Sequence, residues 1–207
     1  LSVHSGTKNQ FGLIYLARAN FPLLEIDLCH RIDKSTSGCV LISKNKIFLR
    51  HFNKQLKLKR VKKKYEAILV GVLEKDSKVE SKIDTSTKEH HHKVKESNDG
   101  KAAISMFKIL KKFSSFTHVE ILIITGRTHQ IRVQSSYINH PIVNDKKYGA
   151  LELNKFISTE TSISRLALHS SSISFKDLSN RVVCYKAPKN SDFDTLLTRL
   201  ENLTVKF

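Results

Sequence analysis

The sequence predicts an α+β fold built on one largely antiparallel sheet. Three observations carry that prediction. Helix-like and strand-like segments alternate irregularly, without the strict strand–helix period of a doubly wound parallel sheet. Two pairs of strand-like runs follow each other across short connections, 103–110 with 116–125 and 166–175 with 181–188. Hydrophobic residues make up 40% of 207, enough for one packed core in one domain. A single domain is expected over residues 1–207, with no internal repeat.

The elements are justified in chain order. "LSVHSG" at 1–6 reads as a strand ending in a turn rather than as a chain start, so residues are expected upstream. In "NQFGLIYLARA" (9–19), Phe11, Ile14, Tyr15 and Ala19 share a helical face. "CVLIS" (39–43) is a short apolar run, expected as a buried strand. "KIFLRHFNKQLKLK" (46–59) predicts an amphipathic helix with Ile47, Phe48, Phe52 and Leu56 inward. Strands follow at 65–73 and 78–83, then the paired runs 103–110 and 116–125. "TGRTHQIRVQSSYIN" turns into a helix with Thr128 as the expected N-cap. "HPIVNDKKYG" is a loop marked by Pro and Gly. The runs 166–175 and 181–188 form a hairpin around Asp177–Asn180, and "SDFDTLLTRLENL" closes the chain as a capped helix with Phe193, Leu196, Leu197 and Leu200 inward.

Charge narrows the function. Lys and Arg number 36 against 19 acidic residues, a net charge of +17 and a pI near 9.9. A domain this basic points to a polyanion, and nucleic acid is the first candidate. No apolar run approaches the length of a membrane span, and no signal-peptide pattern is present. Cys29, Cys39 and Cys184 are odd in number and form no CxxC pair, which fits a reducing cytoplasm and excludes a disulfide framework. His90, His91 and His92 lie in a polar stretch without partner ligands at useful spacing, so a solvated loop is expected and no metal.

Several catalytic patterns are missing. "SGTK" at Ser5–Lys8 matches S-x-x-K but has no K-T-G or S-D-N partner. There is no nucleophile elbow, P-loop or H-E-x-x-H. Two unusual basic segments remain. "HRIDKSTSG" (30–38) holds one carboxylate, Asp33, between Arg31 and Lys34. "GRTHQIR" (126–132) ends on Arg132. A bidentate pair between Arg132 and Asp33 would keep the carboxylate ionised and fix where its oxygens point.

Together with "KKKYEAILVG", "GKAAISMF", "HPIVNDKKYG", "RLALHS" and "KAP", these segments occur in the order seen in the RluA-type RNA pseudouridine synthases, and the chain resembles that family over essentially its whole length. The spacing is most similar to the bacterial branch acting on large-subunit ribosomal RNA. The resemblance implies a long, mostly antiparallel sheet bisected by a cleft. It implies isomerisation of uridine to pseudouridine in RNA without cofactor or metal, by a cytoplasmic protein expected to be a monomer. Its catalytic aspartate falls on Asp33, its K-x-Y-x-A tyrosine on Tyr65, its arginine on Arg132 and its pocket-closing apolar residue on Leu168. Arg31 falls on a position associated with filling the space of a flipped nucleotide. Arg127, His129 and Gln130 of "GRTHQIR", with Lys59, Arg60 and Lys62 of the basic run after the second helix, are the further expected RNA contacts. Ser105 and Gln134 depart from the family's usual threonine and histidine. Relatives of this branch commonly carry a small S4-type RNA-binding domain upstream, and one is expected here. The same chemistry on transfer RNA, and a catalytically silent RNA-binding module, are the alternative readings.

Overall fold

The computed structural model describes residues 3, 12–84, 95–96 and 100–205. Phe11, Ser5–Lys8 and the triplet His90–His92 lie outside them. The chain runs α1 (Leu13–Asn20), β1 (Asp27–Leu28), β2 (Ser37–Gly38), β3 (Ile42–Ser43), α2 (Lys46–Lys57), β4 (Lys62–Val70), β5 (Ser77–Asp84), β6 (Lys95–Glu96), β7 (Lys101–Lys112), β8 (Phe116–Ile123), α3 (Gln130–Tyr137), α4 (Leu151–Thr161), β9 (Leu168–Lys176), β10 (Val182–Lys186) and α5 (Ser191–Leu200).

Among the described residues one eight-stranded sheet has the order β10-β9-β4-β8-β7-β5-β6, with β2 added beside β9. Every pairing along that path is antiparallel, and only the short β2–β9 contact is parallel. This is the α+β fold the sequence predicts. β4 is the hub, bonded to β8 on one side and β9 on the other. Its residues Ala67, Ile68 and Leu69 are wholly buried, which accounts for the continuous apolar run "AILV". Ile121, Val119 and Phe116 of β8 pack with them, and α4 and α5 add Ile157, Phe193, Leu196 and Leu200 to the same core. α2 closes a second cluster, where Phe52 meets Phe175 edge-on at 5.2 Å. Gln55 then ties the helix to the end of β9, donating to the Lys176 carbonyl and accepting from its N–H, both at 2.8 Å.

Some elements differ from the sequence reading. The strand expected at 39–43 is split: Gly38 sits at φ +106°, the chain leaves β9 there, and Ile42 pairs with Leu28 instead. In α2 Phe52 is buried as expected, but Ile47 is 71% exposed and belongs to the outer face. Tyr15 of α1 is likewise exposed, and Ile14 is that helix's buried residue. β4 starts three residues earlier than expected, taking in Lys62, Lys63 and Lys64. The cap of α3 is His129 in the left-handed region, φ +54°, not Thr128. α4 carries no apolar period to read: its buried positions are Asn154, Ile157 and Thr161, and its N-cap is an uncapping alanine, Ala150. The C-terminal helix is capped as expected, by Asn190 accepting from Phe193 N–H at 2.9 Å. Among the described residues no helix is long and apolar enough to cross a membrane.

Candidate active site

A cleft of about 440 Å³ opens where β4 and β8 meet the two distinctive segments. It is lined by Arg31, Asp33, Tyr65, Arg132 and Leu168 together with Arg127, His129 and Gln130. Eight of the eleven residues singled out in the sequence therefore converge on one cavity, although they span the chain from 31 to 168. Lys59, Arg60 and Lys62 do not line it; they are exposed on the turn after α2 and the start of β4, and the lysines that do face the cleft are Lys57 and Lys63.

Asp33 sits on the irregular stretch between β1 and β2. Its carbonyl accepts from Thr36 N–H at 3.0 Å, a tight turn that brings the chain into β2. β2 pins the far end of the stretch: Ser37 pairs with His169 and Gly38 with Ser170, and the Ser37 hydroxyl meets His169 Nδ1 at 2.9 Å. A Cβ on Gly38 would lie 2.1 Å from the Ser170 carbonyl oxygen, so only glycine permits this approach. The near end is held by His30, whose Nε2 accepts from Leu41 N–H at 3.0 Å. Burial, reinforced by the nearby positive charge of Lys63, lowers the His30 pKa to about 4, so its ring is neutral.

Tyr65 reaches the cleft from β4. The β4–β9 ladder shifts register between Lys64 and Glu66, a bulge at the tyrosine itself. Glu66, on the opposite face, is clamped by His118 at 2.8 Å and Lys189 at 3.3 Å, which fixes the bulge from behind. Burial pushes the Tyr65 hydroxyl up to about 12, against the opposing pull of its hydrogen bond with Ser170. The phenol is neutral at physiological pH.

Arg132 departs from the sequence expectation. Its bidentate partner is Asp145, not Asp33: Nε donates to Oδ2 and Nη2 to Oδ1, both at 2.8 Å. Asp145 is wholly buried and also accepts the N–H groups of Lys147 and Tyr148. The Tyr148 ring lies 5.0 Å from the guanidinium carbon. With three sides taken, Arg132 has Nη1 left for Asp33, at 3.5 Å. Burial works against charge on both Arg132 and Asp145, and their mutual bonds outweigh it: the arginine's pKa is raised and the aspartate's lowered. Among the described residues the Asp33 side chain has this one ion-pair contact, and it is partly open to the cleft.

The remaining residues of "GRTHQIR" divide between lining and support. Gln130 lines the cleft, but its amide is spent inside the protein: Oε1 accepts from Thr125 and Arg127, and Nε2 donates to Ile104 and Ser105. His129 bonds the Tyr148 hydroxyl through Nδ1 at 2.7 Å, and burial lowers its pKa despite the nearby Asp33. Arg127 is anchored by Nε to the Ala102 carbonyl at 3.0 Å. Ser105 and Gln134, the two departures from the usual pattern, bond each other at 2.7 Å beneath α3, and neither lines the cleft. Asp145 is the residue that sequence reasoning missed. The signal was present, since it is the lone carboxylate between Glu120 and Glu152.

Comparison with known proteins points to one family. A family model described as RNA pseudouridylate synthase matches residues 1–137. Ribosomal large subunit pseudouridine synthase C of Buchnera aphidicola subsp. Baizongia pistaciae is 40% identical over 204 residues, covering 97% of this chain and 65% of that protein. The protein of the same name from Vibrio parahaemolyticus is 36% identical over 201 residues, covering 96% and 63%. The chain thus spans a little under two thirds of the length of these relatives. Among solved structures, human RNA Pseudouridylate Synthase Domain Containing 4 is similar at a TM-score of 0.75 and 25% identity, over 97% of this chain and 86% of that one. Human RNA Pseudouridylate Synthase Domain Containing 1 shares the fold at the same TM-score, 0.75, and 24% identity, over 94% of this chain and 82% of that one. By its matched sequence the chain belongs to the RNA pseudouridylate synthase family.

Proposed function

We propose that this protein isomerises uridine to pseudouridine in large-subunit ribosomal RNA. The observation that carries the reading is the single cleft in which Asp33, Tyr65, Arg132 and Leu168 meet. The relatives' names, which specify the large ribosomal subunit, support the choice of RNA.

The target base is stacked in RNA, so it is extruded first, at a cost of a few kcal/mol offset by backbone and pocket contacts. The +17 charge favours that backbone engagement. The ring of Tyr65 forms one wall for the flipped base, and Leu168 forms another that excludes water. Asp33 is the carboxylate that acts, by attack on the sugar, attack on the ring, or removal of a sugar proton. Each route begins from a carboxylate with free lone pairs, which the single 3.5 Å contact to Arg132 leaves available. Arg132, fixed by Asp145, holds that carboxylate in place without saturating it. The neutral Tyr65 hydroxyl accepts or relays a proton beside the base and does not act as a preformed phenolate. A dry cleft keeps the detached uracil from escaping while it turns to present carbon to the sugar.

The test is pseudouridine mapping on transcribed large-subunit ribosomal RNA treated with purified protein. Wild type should modify discrete uridines. Asp33→Asn, which keeps shape and removes charge, should modify none while RNA affinity stays within a few-fold. Pseudouridine formed by Asp33→Asn, or none formed by wild type, overturns the assignment.

A further inference from the structure

Lys63 has no part in the chemistry above, yet it faces the cleft beside Tyr65. The two residues stand at i and i+2 on β4, so their side chains share a face and their Cα atoms are about 7 Å apart. That is about the span from a nucleobase to the phosphate of its own nucleotide. Lys63 is half-buried, and among the described residues no carboxylate pairs with it, whereas its neighbour Lys64 is bonded to Glu120 at 3.0 Å. Its ammonium lies against the start of the "GRTHQIR" segment: a Cβ on Gly126 would come within 3.2 Å of Nζ, and glycine leaves that space open. His30 stands on the same wall. Its Nε2 already accepts a bond from Leu41, so its proton lies on Nδ1, which is buried away from the cavity. Desolvating an ammonium without a partner costs stability, so folding alone gives no reason to hold one here.

We propose that Lys63 is the phosphate-binding group of the cleft: it takes the phosphodiester of the target nucleotide while the base lies against Tyr65. This rests on the reading of the cleft as a uridine site and assigns it a second, anionic half. The Gly126 gap admits the phosphate oxygens, and the neutral His30 adds no competing charge. The basic residues Lys59, Arg60 and Lys62 lie outside the cleft and meet other phosphates of the RNA.

Two measurements test this, and neither needs turnover. Uridine and uridine 3′,5′-bisphosphate are titrated against wild type, Lys63→Met and Lys63→Arg. Wild type should prefer the bisphosphate by roughly tenfold or more, the worth of one charge-assisted hydrogen bond. The preference should vanish in Lys63→Met and persist in Lys63→Arg. On a ribosomal RNA fragment, Lys63→Met should flatten the slope of log affinity against log salt by about 0.7 to 0.9, one phosphate's share. Thermal melting of Lys63→Met should be unchanged or raised, because the variant removes an unpaired desolvated charge. Equal affinity of wild type for the two ligands overturns the proposal, as does an unaltered salt slope in Lys63→Met. A lowered melting temperature that Lys63→Arg does not restore overturns it too, since it marks a packing role. If wild type modifies no RNA yet shows the Lys63-dependent preference, the proposed isomerase function fails and the anion site stands.

Discussion

Replacing Asp145 by asparagine tests the link between the buried ion pair and the proposed role of the Asp33 carboxylate. Asp145 is 0% exposed and gives both oxygens to Arg132 at 2.8 Å. Its Oδ1 also accepts the Lys147 and Tyr148 N–H groups at 2.9 and 3.1 Å. Asparagine can keep the Oδ1 bonds, but its amide NH₂ then faces the Arg132 Nε–H, donor against donor. Removing one partner of a buried pair costs about 3–5 kcal/mol, and the retained oxygen puts this variant at the low end, about 3 kcal/mol. In a domain of this size, about 2–4 °C of melting temperature follows each kcal/mol, so a fall of about 6–12 °C is expected. The rate should suffer separately. Arg132 released from Asp145 can turn its fork onto Asp33 and occupy the lone pairs that the present 3.5 Å contact leaves free. A displacement of about 1 Å at a reacting group can cost about 100-fold. Single-turnover pseudouridine formation at saturating RNA, below the variant's melting temperature, reads this loss. Adding Arg132→Met to Asp145→Asn should return most of the stability, because the unpaired guanidinium is gone, while activity stays lost. A single variant with the expected melting loss and a wild-type rate refutes the positioning role; one with no melting loss refutes the buried pair.

Three further outcomes follow from the same geometry. Arg132→Lys keeps the charge but not the planar fork, so the single-turnover rate should fall by about 100-fold or more with little change in RNA affinity; a near-normal rate would mean that the two-point hold on Asp145 is immaterial. Removing Lys59, Arg60 and Lys62 together should flatten the salt slope of RNA binding by about two, and an unchanged slope would put the RNA path along the "GRTHQIR" side of the cleft. The Glu66 carboxyl is held below its ordinary 4.5, first by its hydrogen bond to His118, with burial opposing. A lowered folded-state pKa stabilises above pH 4.5 and loses that contribution as pH falls through the folded value. Melting curves should therefore show Glu66→Gln less stable than wild type at neutral pH, with the gap closing in acid; a gap that widens in acid would contradict the assignment.

The parts of the site that the sequence makes legible are those where one short segment carries both a residue and its setting. Asp33 in "HRIDKSTSG", Tyr65 in a run of β4 and Arg132 in "GRTHQIR" are of this kind, and all three reach the cleft. What stayed illegible is relational. The Arg132–Asp145 pair joins a helix to a loop 13 positions away, and no periodicity encodes which of two aspartates receives the fork. Lys59, Lys62, Lys63 and Lys64 look alike as a string, but strand alternation and the left-handed turn at Lys59, φ +55°, decide which of them face the cleft. The fold follows the same rule. Paired strands with clear turns are read correctly, whereas α4 hides because its inward face is as polar as its outward one.

The short parallel contact between β2 and β9 has a consequence for the order in which the protein is made. Ser37 and His169 are bonded across 132 residues. At the usual pace of synthesis, about 5–20 residues per second, the partner of the Asp33 loop leaves the ribosome on the order of ten seconds after the loop itself. Until then nothing in β9 holds Gly38, and Leu168 has not arrived to wall the cleft. The nascent chain can thus carry a paired β4 and β8 while its Asp33 carboxylate remains unplaced, so the cleft is assembled late in synthesis. A ribosome-bound chain stalled with residues up to 160 exposed should show protected β4–β8 amides and an unprotected Asp33 loop, and extending the exposed chain past Lys186 should protect the loop.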